Sequence, residues 1–559
     1  MYFSVECGKL RGIISNINWN VMQLHYGLAP DALLELPEIR SSLQHLQRGI
    51  EREALRITPQ GRLATTLHPE SQLGATLTHP HITTDYAEAL MEFITPVARS
   101  VQETLAQLRD LHRITFNAIG DELLWPLSMP CYVNELSDIR IAQYGSSHTG
   151  QMKQVYRKGL THRYGAMMQT IAGVHYNFSV PDSFWKALSQ ANGEIDSVEY
   201  RSSRYFALIR NFKRLAWVIP YFFGASPLLC QSFLKHANGD LELEKYPGGW
   251  AGLPYATSLR MSDLGYTNKE QAELGITYNS LEEYVAGLRR AVFTPSKSFE
   301  AIGVRAGDDW KQLNSNILQI ENEFYSPIRP KQVAKSGETP TQALERGGVE
   351  YIEVRALDVN PWSSVGITET QMRFLDMFLL HCLISPSADL SIEEQLDTER
   401  LVTEVVLEGR KPHLVLTDEA GAISVQERLE NLFEAFQPIA EALDESREST
   451  PYHDVINELT VAIEDPEQTM SGKLSAHLQN SVGDQEHPAM VWAEQYKQQL
   501  QTSSLEFYTS EHVEQWREES LSAKAKVEQD SEGSFAEFLE AYFNRAQEKK
   551  QRAEWGALK

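Results

Sequence analysis

The chain has 559 residues, of which 42% are hydrophobic and 23% charged, and its formal net charge is −25. This is the composition of a folded globular protein with room for about two to four domains. The acidity and the lack of any Lys/Arg run argue against binding nucleic acid or an anionic membrane, and four widely spaced cysteines, Cys7, Cys131, Cys230 and Cys382, argue against a disulfide framework or a thiolate zinc site and fit a reducing cytoplasm.

Residues 1 to 29 read as an N-terminal extension, expected to be poorly ordered, without a signal-peptide pattern and with Met22 as an alternative start. From Pro30, the spacing of Ala32, Leu33, Leu34, Ile39, Leu43 and Leu46 predicts helix leading into a strand over Gln47–Ile57. That strand places Glu51 and Glu53 at i and i+2, on one face and about 6.5 Å apart along it. Ile50 and Ala54 fall on the opposite, burial-competent face. Taken alone, such a pair is a solvated acidic edge. Its meaning depends on what shares the sheet.

Thr84 or Asp85 is placed to cap a short helix, and Leu90 to Thr95 follows as a strand that sets Glu92 between Met91 and Phe93. A carboxylate there is costly unless it is paired or metal-bound. Ser100 with Glu103 starts a helix. The loop Tyr144–Gly150 leads into another helix bearing Tyr156 and Leu160. Val174, Tyr176 and Phe178 alternate with His175, Asn177 and Ser179, predicting a strand with one polar face.

The turn-rich segment Leu253–Lys269 carries Arg260 and Tyr266, and Ser280 with Glu283 caps a helix. Leu313–Tyr325 reads as a strand ended by Pro327, and Thr339-Pro340 begins a helix that stops at Gly347. The strand Val349–Leu357 then presents Glu353 and Arg355 on one face, with Ile352 and Val354 on the other. Thr368 with Gln371 caps an apolar helix to Ser385. Beyond it nearly everything reads as helix, with capping boxes at Ser391/Glu394 and Ser534/Glu537 and an acidic, solvated outer layer. The most apolar run, Leu215–Cys230, is interrupted by Pro220 and Pro227 and is too short to span a bilayer comfortably.

If the polar-faced strands share a sheet, Glu51/Glu53, Glu92, His175/Asn177 and Glu353/Arg355 form a basin of carboxylates with an imidazole and a guanidinium. Hard divalent cations such as Mg²⁺ take oxygen ligands of this kind and bridge to phosphates. An arginine at the rim suits phosphoryl transfer. The sequence has no G-x-x-x-x-G-K-[ST] and no G-x-G-x-x-G on a strand-to-helix turn, so an ATP site would have to be built on a sheet face.

The ordered blocks QRGIEREALRI, ITTDYAEALMEFITP, PLSMPCY, AQYGSSHTG, RYGAMMQTIAGVHYNFS, WVIPYFFGASP, LPYATSLRMSDLGYTNK, LQIENEFYSPIRPK and GGVEYIEVRALDVNP resemble the proteobacterial type of bacterial glutamate–cysteine ligase, also called γ-glutamylcysteine synthetase. The resemblance spans roughly residues 40 to 390 and runs more loosely through VLEGRKP into the tail. It implies an α+β fold: a glutamine-synthetase-like, curved, mainly antiparallel β-sheet funnel with surrounding helices. Residues 30–390 would be the catalytic domain and 391–559 a mostly helical C-terminal region packed on it.

The activity it implies is ligation of L-glutamate to L-cysteine with ATP as co-substrate and Mg²⁺ (with Mn²⁺ as a substitute), in a cytoplasmic enzyme expected to be a monomer. By the resemblance, Glu51, Glu53, Glu92 and Glu353, with Asp85 close by, match metal-site positions. His175 and Asn177 match a strand-borne pair, and Arg355 an arginine at the transferring phosphate. Arg355, Glu53 and His175 are thus the expected catalytic residues. Arg260, Tyr266, Tyr86, Tyr156, Leu160, Gln169 and Tyr325 match positions around the cysteine, Tyr86 standing where a relative can carry Phe. A sister carboxylate–amine ligase or a guanidino kinase would share the basin, and a non-catalytic binding protein would keep the fold without turnover.

Overall fold

The computed structural model describes residues 28–548 except 237–240, 265–273, 336, 420, 446 and 481–486; Tyr266, Cys7 and residues 1–27 of the extension lie outside the described residues. At its centre is a seven-stranded sheet formed by β1 (Gln47–Ile57), β2 (Ile82–Thr84), β3 (Leu90–Ile94), β4 (Leu123–Leu124), β5 (Val174–Ser179), β6 (Ile328–Lys331) and β7 (Tyr351–Leu357). The strand order is β6-β7-β5-β1-β3-β2, with β4 pairing the end of β1. Every pairing in it is antiparallel. Pro330, which has no N–H to donate, sits on the edge strand β6, where the missing donor costs least.

The two faces of the sheet follow the period-two pattern. Ile50, Ala54, Tyr176, Phe178, Ile352 and Val354 are buried on the back. That back face also carries three arginines of β1, each with a partner. Arg48 pairs with Asp376 at 2.8 Å, Arg52 Nη1 lies 3.0 Å from His112 Nε2, and Arg56 pairs with Glu122 at 2.6 Å. The first two contacts dock the sheet onto α3 (Glu369–Ile384) and α1 (Val101–Ala118), between which α2 (His148–Tyr164) falls in the chain, and the third ties β1 to the segment before β4. Both α1 and α3 start as the capping residues predict: Ser100 accepts from Glu103 N, and Thr368 and Gln371 form a capping box.

The region after residue 391 is mostly helical, with a hairpin of Val415–Asp418 and Gly421–Ser424 as its exception. Its helices α4 (Val425–Asp444) and α5 (Pro451–Glu464) are buried along one side, where Phe433 and Phe436 meet Phe374 of α3. Tyr452 donates to Asp376 Oδ2 at 2.9 Å, so α5 shares the carboxylate that anchors β1. No helix of the described residues is long and apolar enough to cross a membrane.

Two sequence expectations are corrected. The segment after Thr84 does not form a helix. Ile82–Thr84 pairs with β3, and Asp85 N bonds Leu90 O at 2.9 Å to close a tight connection, because sheet pairing satisfies the backbone that a cap would otherwise serve. Leu313–Tyr325 is not a strand but a loop with a short 3-10 turn at Glu321–Glu323. Its side chains compete for the backbone: Asn316 N donates to Asn314 Oδ1 at 3.0 Å, and Asn316 Nδ2 donates to Val292 O at 2.6 Å. The buried Glu323 then ties the loop to α2 through Arg163 at 2.9 Å and Tyr164 at 2.7 Å.

Candidate active site

The front face of the sheet gathers polar groups by register. Glu53 stands opposite Glu92, Glu51 opposite His175, and Asn177 opposite Glu353, which in turn faces Arg329 on β6. Between Val354 and Leu357 the pairing with β5 slips, so that Arg355 and Ala356 together oppose His175. The extra residue falls at Arg355, which stays on the same face as Glu353, two residues before it.

Hydrogen bonds hold the acids in place. Glu51 accepts from Asn177 Nδ2 at 3.0 Å and lies 3.1 Å from His175 Nδ1. Glu53 Oε2 accepts from Gly173 N at 2.7 Å, and its other oxygen is 3.7 Å from His175 Nε2. Glu353 is flanked by Lys331 Nζ at 3.1 Å and Arg355 Nη1 at 3.2 Å. Glu51, His175 and Glu353 each offer a ligand atom, and these atoms lie within 4.8 Å of one another.

The electrostatics are graded across the face. Burial alone would push the Glu353 carboxyl up, but Lys331, Arg355, His175 and Arg329 outweigh it and hold it well below the usual range. Glu51, opposed by burial and by Glu353, ends lowered through the hydrogen bond and charge of His175. On the other side, burial and the charges of Asp85, Glu51 and Glu53 push Glu92 well up, against Arg157. Burial likewise raises Glu53, with His175 opposing and Asp85 adding to it. The face thus has a cation-rich edge on β6 and β7 and an acid-rich centre on β1 and β3. The acid-rich part holds more carboxylates than its cations neutralise. Carboxylate oxygens with one imidazole are the donor set of a hard divalent cation.

Beside the basin, Arg260 is almost fully buried, with Nη2 donating to Arg355 O at 2.9 Å and Nη1 3.5 Å from Asp358 Oδ1. Tyr325 Oη reaches Met261 Sδ at 3.2 Å, next to Arg260. Tyr156 on α2 lies within electrostatic reach of Asp85, Arg157 and Arg329, and burial pushes its phenol up.

With this geometry in place, the sequence profile described as glutamate–cysteine ligase matches residues 32–405. The chain belongs to the glutamate–cysteine ligase family. It is 49% identical over 506 residues to the glutamate–cysteine ligase of Serratia proteamaculans, covering 90% of this chain and 96% of that protein. The Yersinia enterocolitica glutamate–cysteine ligase is 48% identical over 513 residues, covering 91% and 98%. Among solved structures, the Francisella tularensis glutamate–cysteine ligase in complex with AMP superposes with a TM-score of 0.83 at 33% identity, over 90% of this chain and 98% of that one. A bifunctional glutathione synthetase from Pasteurella multocida shares the fold, with a TM-score of 0.62 at 24% identity over 83% and 53%.

This family member is therefore an enzyme of α+β architecture. Of the residues singled out from the sequence, Glu51, Glu53, Glu92, His175, Asn177, Glu353 and Arg355 meet on one face. Asp85 and Arg260 lie within electrostatic reach of Glu53. Tyr86 is buried on the side of α2, where its hydroxyl meets Thr161 Oγ1 at 2.6 Å. Leu160 is buried near the end of α2, and Gln169 in the turn Met167–Thr170. Sequence reasoning missed Arg329 and Lys331. Their i, i+2 spacing around Pro330 was a usable signal of the same kind as Glu51/Glu53. It also missed Arg157, whose Nε donates to the Asp85 carbonyl at 2.5 Å, and Gly173.

Proposed function

We propose that the enzyme joins the γ-carboxylate of L-glutamate to the amine of L-cysteine, converting ATP to ADP and phosphate, as the first step of glutathione biosynthesis. The observation that supports this most is the meeting of four glutamates, His175 and Arg355 on one sheet face, in a family whose Francisella member is known in complex with AMP. The reaction needs a cytoplasmic supply of small substrates only, and we assign no nucleic-acid or membrane partner to it and treat the enzyme as a monomer.

A carboxylate is a poor electrophile, so a γ-carboxylate oxygen of glutamate first attacks the γ-phosphorus of ATP. The bond to ADP breaks and γ-glutamyl phosphate forms. Arg355, standing at the bulge and anchored to Glu353, stabilises the phosphoryl group in transfer. Glu51, Glu53, Glu92 and Glu353, with His175 and Asp85 beside them, would hold Mg²⁺, which would supply neutralising charge to the phosphates. Lys331 and Arg329 extend the cationic edge toward the same anion. His175 keeps Glu51 and Glu53 in place from between them.

The cysteine amine then attacks the acyl carbon, the bond to phosphate breaks, and the amine gives up its proton, which a basin carboxylate takes. Arg260 binds the cysteine carboxylate, for which a guanidinium is the suited partner. Tyr325, Tyr156, Tyr86, Leu160, Gln169 and Asn177 complete the substrate walls, together with Tyr266.

The test is oxygen transfer. Glutamate labelled with ¹⁸O in its γ-carboxylate should pass one labelled oxygen to inorganic phosphate for each product formed. Turnover with unlabelled phosphate would rule out the acyl phosphate.

A further inference from the structure

Asp358 is the first residue after β7, and it is buried with 1% exposure. Both of its oxygens are occupied. Oδ2 accepts from Ala225 N and Ser226 Oγ, each at 2.7 Å. Oδ1 accepts from Ser258 Oγ at 3.0 Å and faces Arg260 Nη1 at 3.5 Å. Ser226 Oγ in turn accepts from the Arg260 backbone N–H at 3.2 Å. One carboxylate therefore fixes the guanidinium of Arg260 and, through Ser226, its main chain.

Arg260 is fixed from two further sides. Its Nη2 donates to the carbonyl of Arg355, at the bulge in β7. Gly173 lies against it so closely that a Cβ there would come within 2.2 Å of Nη2. Gly173 N is the donor to Glu53, so the backbone between Arg260 and Glu53 is a single residue thick. Within this frame Nε is buried and has no hydrogen-bond partner among the described residues. A buried donor left over in this way costs free energy unless a ligand meets it.

We infer that Asp358 is a positioning residue for the acceptor amino acid: buried and locked by Ser226, Ser258 and Ala225 N, it holds Arg260 in the orientation that grips the carboxylate of cysteine. This rests on the reading of Arg260 given above. Asp358 does not touch substrate. Without it, Arg260 keeps its charge and its hydrogen bonds to the Arg355 carbonyl and Met261 Sδ but loses the buried carboxylate beside Nη1, and the grip that weakens is on cysteine alone, not on ATP or glutamate.

The experiment is steady-state kinetics of the full chain with each substrate varied in turn, on Asp358→Asn, Ser258→Ala, Arg260→Ala and the Arg260→Ala/Asp358→Asn double variant. Asp358→Asn should raise KM for cysteine by about tenfold or more, leaving KM for ATP and for glutamate within about twofold, a split that a merely structural lesion would not produce. The double variant should be no worse than Arg260→Ala, because residues acting as one unit are non-additive. Should Asp358→Asn not fold, Ser258→Ala decides: a selective rise in KM for cysteine supports the inference, and no change overturns it. A rise in all three KM values together, or an unchanged KM for cysteine in Asp358→Asn where Arg260→Ala raises it, overturns the role of Asp358 alone. An unchanged KM for cysteine in Arg260→Ala overturns the reading of Arg260 itself.

Discussion

Glu53 and Glu92 face each other directly across the antiparallel pairing of β1 and β3, two carboxyls raised above their ordinary range by burial and by acidic neighbours. Like charges in that relation destabilise a sheet by up to about 1 kcal/mol even when exposed. A raised carboxyl contributes stability that is present below its unfolded pKa and is lost as pH rises through its folded value. In the metal-free protein the pair therefore weakens the fold toward neutral pH, and a divalent cation should reverse this. Thermal melts at neutral pH should show Tm rising with Mg²⁺ or Mn²⁺. Calorimetry in buffers of different ionisation enthalpy should show protons released on cation uptake. Glu92→Gln should melt higher than wild type without cation and gain less from it; an identical cation response in the variant would remove Glu92 from the cation site.

Burial opposes the charge on Arg355, but the attraction of Glu353, Glu53 and Glu51 overcomes it and raises the guanidinium above its ordinary range, so it stays charged throughout the working pH range. Loss of a group that stabilises developing charge typically costs about 10²–10³ in kcat. Arg355→Ala, and equally Glu53→Ala, should lose activity on that scale while keeping the far-ultraviolet circular dichroism of the parent. Near-normal turnover in either variant would dismiss its assigned role.

Asp376 is fully buried and accepts from Arg48 at 2.8 Å, Tyr176 at 2.7 Å and Tyr452 at 2.9 Å, joining β1, β5, α3 and α5. Removing one member of a buried ion pair leaves the other uncompensated, at a cost of about 3–5 kcal/mol. Asp376→Ala should fall in that range, while Tyr452→Phe, which loses one hydrogen bond to a charged group, should cost about 1.5–3 kcal/mol. Urea unfolding midpoints measure both. Equal costs in the two variants would contradict a hub centred on Asp376.

Four histidines are held neutral by their surroundings, His79 and His112 buried and His68 and His381 half-buried. Burial lowers His68 to about 4, His79 to about 3 and His381 to about 4, and holds His112 well below its ordinary value. His112 is neutral by construction: its Nδ1 donates to Leu108 O at 2.8 Å, leaving Nε2 to accept from Arg52. A base with a lowered folded pKa takes up its proton first in the unfolded chain, so stability falls as pH drops from about 6.5 toward these values. Urea midpoints between pH 7 and pH 5 should fall with pH, and His112→Gln should flatten the slope. A flat wild-type profile over that interval would contradict the burial of these imidazoles.

The period-two pattern made the strands at Glu51/Glu53, His175/Asn177 and Glu353/Arg355 legible, because one face of each had to be polar and the other buried. Capping residues located the helices at Ser100, Ser280 and Thr368, because the donor needing a partner and the side chain supplying it are three residues apart, and Pro340 at the first helical position located the one after Thr339. Leu313–Tyr325 misled because its apolar spacing is compatible with a strand, while the decisive contacts, Glu323 to Arg163 and Glu321 to Thr341, come from distant chain. Asp358, Gly173 and the bulge at Arg355 were not legible at all. Their roles arise only when β5, β7 and the segment around Arg260 meet, and no local spacing encodes that meeting.

Whether this sheet face makes γ-glutamylcysteine is tested most directly by ADP release from the purified protein with Mg²⁺, ATP and glutamate, with and without cysteine, alongside the mass of the product. ADP release should depend on cysteine and match γ-glutamylcysteine in amount. ADP release indifferent to cysteine but driven by another amine, or no release at all, would contradict the proposed reaction.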